Sequence, residues 1–205
     1  MTLSELRYLC YTDLYRYGGR TSLGQFVRKY LMQPGFCCTF HYRLAVYLNQ
    51  FRRNIIVAPA RIANLLMMIH SRWKFGISIP IHASIGRGLY IVHFGGITLG
   101  DKVVLGDNCQ LSQEVTLGHK PRGARAGSPV VGDNVYIGPG AKIIGGIRLG
   151  DWVAVGANAV VTHDAEPSAV VAGVPAREIS REGAHGYVNN TDYLDYEAWR
   201  SRRRR

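Results

Sequence analysis

Two histidines stand in settings that suit a base. Residues 90–100 read YIVHFGGITLG, which puts His93 before an aromatic residue and two glycines. Residues 115–121 read VTLGHKP, which puts His119 at the start of the glycine- and arginine-rich stretch GHKPRGARAGSPV. Histidine, with an ordinary pKa of about 6.5, accepts a proton at neutral pH, and general-base help to an attacking hydroxyl typically contributes about 10²–10⁴-fold. The glycines after His93 let a ligand approach the main chain, so the amides near Gly95 and Gly96 are candidate donors to an oxyanion. A solvated corner residue is the alternative for His93, and a solvated loop residue is the alternative for His119. Cys10, Cys37, Cys38 and Cys109 lack metal-ligand spacing, so reduced thiols and no metal are expected.

The elements that carry these histidines follow a period of six. Ile79, Ile85 and Ile91 form one frame, and Leu99, Leu105, Leu111 and Leu117 a second. Val131, Ile137, Ile143, Leu149, Val155 and Val161 form a third. Glycine often follows the aliphatic residue, and a small or β-branched residue often stands four places on, from Val103 and Cys109 to Val153 and Ala159. One deep aliphatic per six residues is the signature of a parallel β-helix, three hexads to a triangular coil. The frames do not match. The first slips by two residues just after His93, and the second breaks at the insertion that His119 opens. Both histidines sit two places after an aliphatic position, the slot held elsewhere by Asp101, Asp107, Asp133 and Asp151, and so are expected to face outward. His163 shares the slot without a break beside it.

The chain is therefore read as mainly β, in three parts. Residues 1–77 form an N-terminal helical segment, with breaks at Pro34-Gly35 and Pro59 and one helical face made by Phe40, Arg43, Leu44, Tyr47 and Leu48. Residues 78–180 form the β-helix, with a loop at 118–130. Residues 181–205 form a short C-terminal tail, read first as a disordered solubilising tail, with an acidic-aromatic part that could instead fold back as a short helix over the last coil or onto a neighbour.

At 205 residues and 47% hydrophobic the chain is not disordered, and its net charge is +11. Arg200 and Arg202–Arg205 supply five of those charges, so the body is mildly basic. That balance suits an anionic ligand, a membrane surface or nucleic acid, and no recognition motif supports the last. The segment 53–75 is basic and apolar. It is too short in its apolar run to span a bilayer, and suits either packing on its own protein or lying on a membrane surface. The opening residues do not resemble a signal peptide, so a cytoplasmic protein is expected, with peripheral contact at the inner face of the membrane as an option.

The hexads, together with IGRGLYIVHFGGITLG, VTLGH, VYIGPGAKIIGGIRLGDWVAVGANAVV and AGVPAR, resemble the left-handed β-helix hexapeptide acyltransferases. Within them the chain is most similar to serine acetyltransferases and polysaccharide-pathway O-acetyltransferases, over about residues 36–180. The resemblance implies acetyl-CoA as acyl donor and a homotrimer with the coenzyme in grooves between β-helices, in some members doubled into a hexamer through N-terminal helices. It makes His93 the catalytic base. TLGHKP is similar to the TGHP-like turn of galactoside and xenobiotic acetyltransferases, which makes His119 a second site residue. It runs the coenzyme along Pro139 and Ala157 toward Thr162 and His163, and brings Arg177 to its phosphates, with Lys142, Lys120, Arg122 and Arg125 as further cations.

Three positions depart from serine acetyltransferases. Ser78 stands where they carry an aspartate fifteen places before the histidine, Val92 where they carry an acidic residue directly before it, and Ser128 where they carry a second histidine before a proline. Glu114 and Asp13 are the remaining candidates to orient His93. Missing carboxylates argue for a neutral hydroxyl, so the expected acceptor is a sugar or glycan intermediate of a capsule, exopolysaccharide or lipopolysaccharide type pathway. The alternatives are serine O-acetylation in cysteine biosynthesis and, in another class, an inactive β-helix scaffold or binding module.

Overall fold

The computed structural model describes residues 1–202; Arg203–Arg205, most of the arginine run, lie outside the described residues. From Ile77 onward the chain winds through strands of mostly two or three residues that stack into three faces. The first face stacks Ile77–Ser78, Ile97–Leu99, Thr116–Gly118, Lys142–Ile144 and Val160–Val161. The second stacks Ser84–Ile85, Val104–Leu105, Val130–Val131 and Arg148–Leu149. The third stacks Tyr90–Ile91, Gln110–Leu111, Tyr136–Ile137, Ala154–Val155 and Val170–Gly173, and ends with Ala176–Ser180 added antiparallel. The result is a left-handed parallel β-helix. All thirteen aliphatic hexad positions are buried, as is every residue from Val103 to Ala159 in the slot four places on. In so short a strand, alternation sends one side chain in and one out.

The register measures the interruptions. Ile77 pairs with Ile97 but Leu99 with Leu117, so the first coil takes 20 residues and the second 18. The two extra residues fall around His93. Val104 pairs with Val130, 26 residues on, and that surplus is the loop opened by His119.

The slot two places after the aliphatic differs from edge to edge. Between the second and third faces it holds a ladder. Asp107 Oδ1 accepts the Arg87 N–H at 2.9 Å, Asp133 Oδ1 accepts that of Asp107 at 2.6 Å, and Asp151 Oδ1 accepts that of Asp133 at 2.7 Å. These carboxylates are structural caps. His93 and His119 occupy the other two edges.

Four helices precede the coil: α1 (Leu3–Tyr15), α2 (Leu23–Met32), α3 (Pro34–Asn49) and α4 (Ala58–Phe75). Thr2 and Glu5 form a capping box on α1, Ser22 caps α2, and Pro34 and Pro59 sit in the first turns of α3 and α4. Pro59 thus starts a helix. Of the face expected on α3, only Arg43 and Leu48 are buried, while Phe40, Leu44 and Tyr47 are partly exposed. His41, Tyr42 and the Phe36–Thr39 turn are buried as well, because α3 is covered by α1, α2, α4 and the coil together. No described helix is long and apolar enough to cross a membrane.

A β-helix has open strand edges only at its ends, and these need partners. At the first coil the helices supply them. Arg43 Nη1 donates to the Ile85 carbonyl at 2.7 Å and its Nη2 to that of Gly86, while Asp13 Oδ1 accepts the Leu89 N–H at 2.9 Å. Tyr17 Oη donates to the Ile91 carbonyl at 3.1 Å, and Tyr42 Oη to that of Ala83 at 2.7 Å. The C-terminal segment runs back along the coil, where Tyr193 Oη donates to Asn108 Oδ1 at 2.6 Å. It ends in α5 (Tyr196–Arg202), whose buried Trp199 packs against Tyr8 and Tyr11 of α1. The helix of the tail packs onto α1, while the residues ahead of it cover the lower coils, where Ala184 and Val188 pack against Ala154 and the Tyr187 and Tyr136 rings stack 4.5 Å apart.

Candidate active site

His93 lies in the corner 92–96, between the third and first faces of the first coil. The corner is clamped from two sides. From the helical side, α4 ends at Gly76 in the left-handed region (φ +63°), and the Gly76 carbonyl accepts the Ile97 N–H at 2.9 Å. A Cβ at Gly76 would come within 3.0 Å of the Gly96 nitrogen, so the helix end and the corner are in close contact. Phe94 stacks edge-on against Phe75, with ring centroids 6.0 Å apart. From the next coil, the Glu114 N–H donates to the Gly95 carbonyl at 2.7 Å. Gly95 (φ +105°) and Gly96 (φ +67°) both hold conformations that side chains disfavour, and Gly95 has open space where a Cβ would stand. His93 itself is exposed on this fixed corner.

The other sequence-predicted residues divide between two edges. Pro139 and Ala157 occupy the His93 slot in lower coils of the same edge, since Ile91, Leu111, Ile137 and Val155 stack on the third face. The corners are tied to one another, the Gly140 N–H donating to the Gln113 carbonyl at 2.9 Å and the Asn158 N–H to that of Pro139 at 2.7 Å. Lys142 lies on the first face with its Nζ donating to the Glu114 carbonyl. His119, Thr162 and His163 lie on the next edge, between the first and second faces. There Thr162 Oγ1 and His163 Nδ1 are 3.1 Å apart. Arg177 joins His163, Asp164, Glu166 and Glu178 around a cleft of about 340 Å³. Within one chain, His93 and His119 therefore flank opposite edges of the first face.

His119 has a neighbour that sequence reasoning did not link to it. Its Nδ1 is 3.2 Å from Ser128 Oγ, across the base of a loop closed by the antiparallel bridge between Lys120 and Gly127. The loop is pinned to a lower coil by Arg125 and Asp164, 3.0 Å apart. Asp164 also accepts the Arg148 N–H at 2.9 Å, and these donors hold its carboxyl below the usual carboxylate range. Lys120 Nζ donates to the Ala124 carbonyl, so this cation is partly engaged inside the loop.

Asp13 does not orient His93. It is 1% exposed and bound to Arg43 (Nε to Oδ2, 2.9 Å), which leaves it committed to the helix–coil junction. Glu114 is the carboxylate adjoining the His93 corner. The cysteines are free, and burial pushes the thiols of Cys10, Cys38 and Cys109 up to about 12, which removes them as nucleophiles. Among the described residues no group of three or more His, Cys, Asp or Glu side chains is placed to hold a metal ion.

Residues 128–163 match the bacterial transferase hexapeptide (six repeats) family. A serine acetyltransferase of Helicobacter pylori (strain J99) is 36% identical over 74% of this chain and 85% of its own length. The chain belongs to the hexapeptide-repeat serine acetyltransferase family. The corresponding enzyme of Synechococcus elongatus is 35% identical over 75% of this chain, which spans 60% of that relative's length. A crystal structure of serine acetyltransferase from Brucella abortus strain S19 superposes with a TM-score of 0.74 at 29% identity, covering 88% of this chain and 71% of that one. The same enzyme in complex with coenzyme A gives 0.69, covering 87% and 67%.

These relatives correct the acceptor. The sugar or glycan inferred from Ser78, Val92 and Ser128 is overturned by relatives that are serine acetyltransferases, and a polysaccharide pathway has no support among them. Three positions of one chain are a poor discriminator when the candidate residues divide between two edges of the coil. The His119–Ser128 contact places an imidazole beside one of those three positions.

Proposed function

We propose that this protein transfers an acetyl group from acetyl-CoA to the hydroxyl of serine, with His93 as the general base. The serine oxygen attacks the thioester carbonyl while the His93 imidazole takes its proton. The tetrahedral intermediate places its negative oxygen toward the amides around Gly95 and Gly96. Collapse breaks the carbon–sulfur bond, and the departing thiolate takes the proton back from the imidazolium. The products are O-acetylserine and free coenzyme A, and the histidine is regenerated.

The observation that carries this reading is the His93 corner: an exposed imidazole on a loop held by α4 and Glu114, with open space at Gly95. Pro139 and Ala157 on the same edge would guide the pantetheine arm. Thr162, His163 and His119 on the next edge would complete the groove from a neighbouring copy, with Arg177 of the terminal strand, beside His163, offering a fixed cationic fork to phosphate. Two edges of one prism face apart, so a groove using both needs adjacent copies, which supports a homotrimer. Lys142 lies on the face between them and would act in the same groove. The free thiols suit a reducing cytoplasm.

The test is thiol release by the purified chain with acetyl-CoA, with and without free L-serine. Serine-dependent release is expected, at a sedimentation mass of three chains. Absence of release with serine removes the proposed activity, and a monomer that is fully active removes the shared groove.

A further inference from the structure

Helix α4 is inside out. The residues it buries are Asn64 and Ser71, seven apart, and both are polar. Asn64 is fully engaged beneath it: Oδ1 lies 2.7 Å from His41 Nδ1, and Nδ2 donates to the His41 carbonyl at 3.0 Å. The apolar residues point to solvent. Ile62 is 58% exposed, Leu65 54%, Leu66 60% and Trp73 82%, with Met67 and Ile69 exposed between them. Ile55 and Ile56, in the turn before the helix, are more exposed still. An isolated surface leucine needs no explanation, but a contiguous row of this kind marks a contact surface.

Charge indicates what covers it. Between Leu14 and Gly100 the chain has no Asp or Glu and eleven Lys or Arg residues. Arg52 and Arg53 are exposed beside the N-terminal end of the apolar row, and Arg72 and Lys74 flank Trp73 at the other. A second copy presenting the same face would bring cations against cations. An anionic surface with an apolar interior satisfies both features, because a helix lying in the plane of a bilayer sinks its apolar side among the acyl chains and leaves its cations at the headgroups.

We propose that α4 and the turn before it dock the protein onto an anionic phospholipid surface, without crossing it. The interaction does not depend on which acceptor the enzyme uses. The experiment is flotation of the full chain with phosphatidylglycerol vesicles and with phosphatidylcholine vesicles, at low and high salt. Binding to the anionic vesicles, weakened by salt and by neutral lipid, is expected. Leu66→Glu together with Trp73→Glu should weaken it at least about tenfold. In wild-type protein, lipids brominated in the acyl chain should quench part of the tryptophan emission. Trp73→Phe should keep the binding and lose that quenching, a readout that does not rely on the charged variant folding. Failure to float with anionic vesicles at low salt overturns the proposal. So does flotation that the double substitution leaves unchanged, or sedimentation showing that the double substitution splits a larger oligomer, which would assign the face to a second copy.

Discussion

The coil and the helices ahead of it solve burial in different ways. The β-helix puts aliphatic side chains in its centre and polar ones on its edges, where the Asp107–Asp133–Asp151 ladder ties one turn to the next. The helical unit buries Asp13, Arg16, Arg43, His41, Asn64 and Ser71 beside apolar residues such as Leu14, Phe36 and Tyr42, and its α4 turns leucines, isoleucines and a tryptophan outward. The difference follows from what each meets. A coil meets itself, through a repeated backbone ladder, and needs only bulk in the middle. The helices meet the raw edge of the first coil, whose carbonyls and amides demand charged and hydroxyl partners. Polar residues therefore join apolar ones on the inward faces, and on α4 the apolar ones are left for another surface.

The largest effect expected is on catalysis, and it separates chemistry from architecture. His93→Ala should lower serine-dependent thiol release by about 10²–10⁴-fold with the melting temperature unchanged, because the side chain is exposed. Rates near wild type would take the base role away from His93. The junction is tested by Arg43→Met, which strands the 1%-exposed Asp13 without its partner. Breaking such a buried pair costs about 3–5 kcal/mol, read by denaturant unfolding. If the loss is small, the polar junction is not what joins the two regions. Leu117→Ala sharpens the contrast from the coil side. It deletes bulk from a fully buried stack and should cost about 2–5 kcal/mol, without altering the exposed face of α4.

The smallest effect concerns the His119 loop. Asp164 is ionised more easily in the folded chain than in the unfolded one, so its contribution is present above its unfolded pKa and fades as pH falls through its lower, folded value. Asp164→Asn should loosen the loop at neutral pH and raise tryptic cleavage at Arg122 and Arg125 by only about two- to fivefold, as befits an exposed ion pair. Cleavage rates that do not change would mean that the Lys120–Gly127 bridge alone holds the loop.

Much of the coil is legible in the sequence. A six-residue period needs no partner to be recognised, and the two places where it slips are where the register shows extra residues, beside His93 and after His119. The helical unit was far less legible, since on α4 burial runs against hydrophobicity and elsewhere charged groups are buried with apolar ones. The face picked out on α3 by apolar spacing was only partly the buried one, and nothing in the spacing of Asn64 and Ser71 marks them as inward. Asp13 illustrates the limit at the candidate site. It reads as a free carboxylate available to orient His93, but pairing with Arg43, thirty residues on, is decided by where α1 and α3 cross the first coil.

The amino-acid order by itself determined the β-helix, its interruptions and the two histidines at them, because local repetition carries that information along the chain. Tertiary structure decided which edge each residue occupies. Pro139 and Ala157 fell beneath His93, while His119 and Thr162 fell across the first face from it and Arg177 on the strand that ends the third face. A coil of three edges assigns neighbours by counting around the turn, and two insertions of unequal length change that count in a way only the folded register resolves.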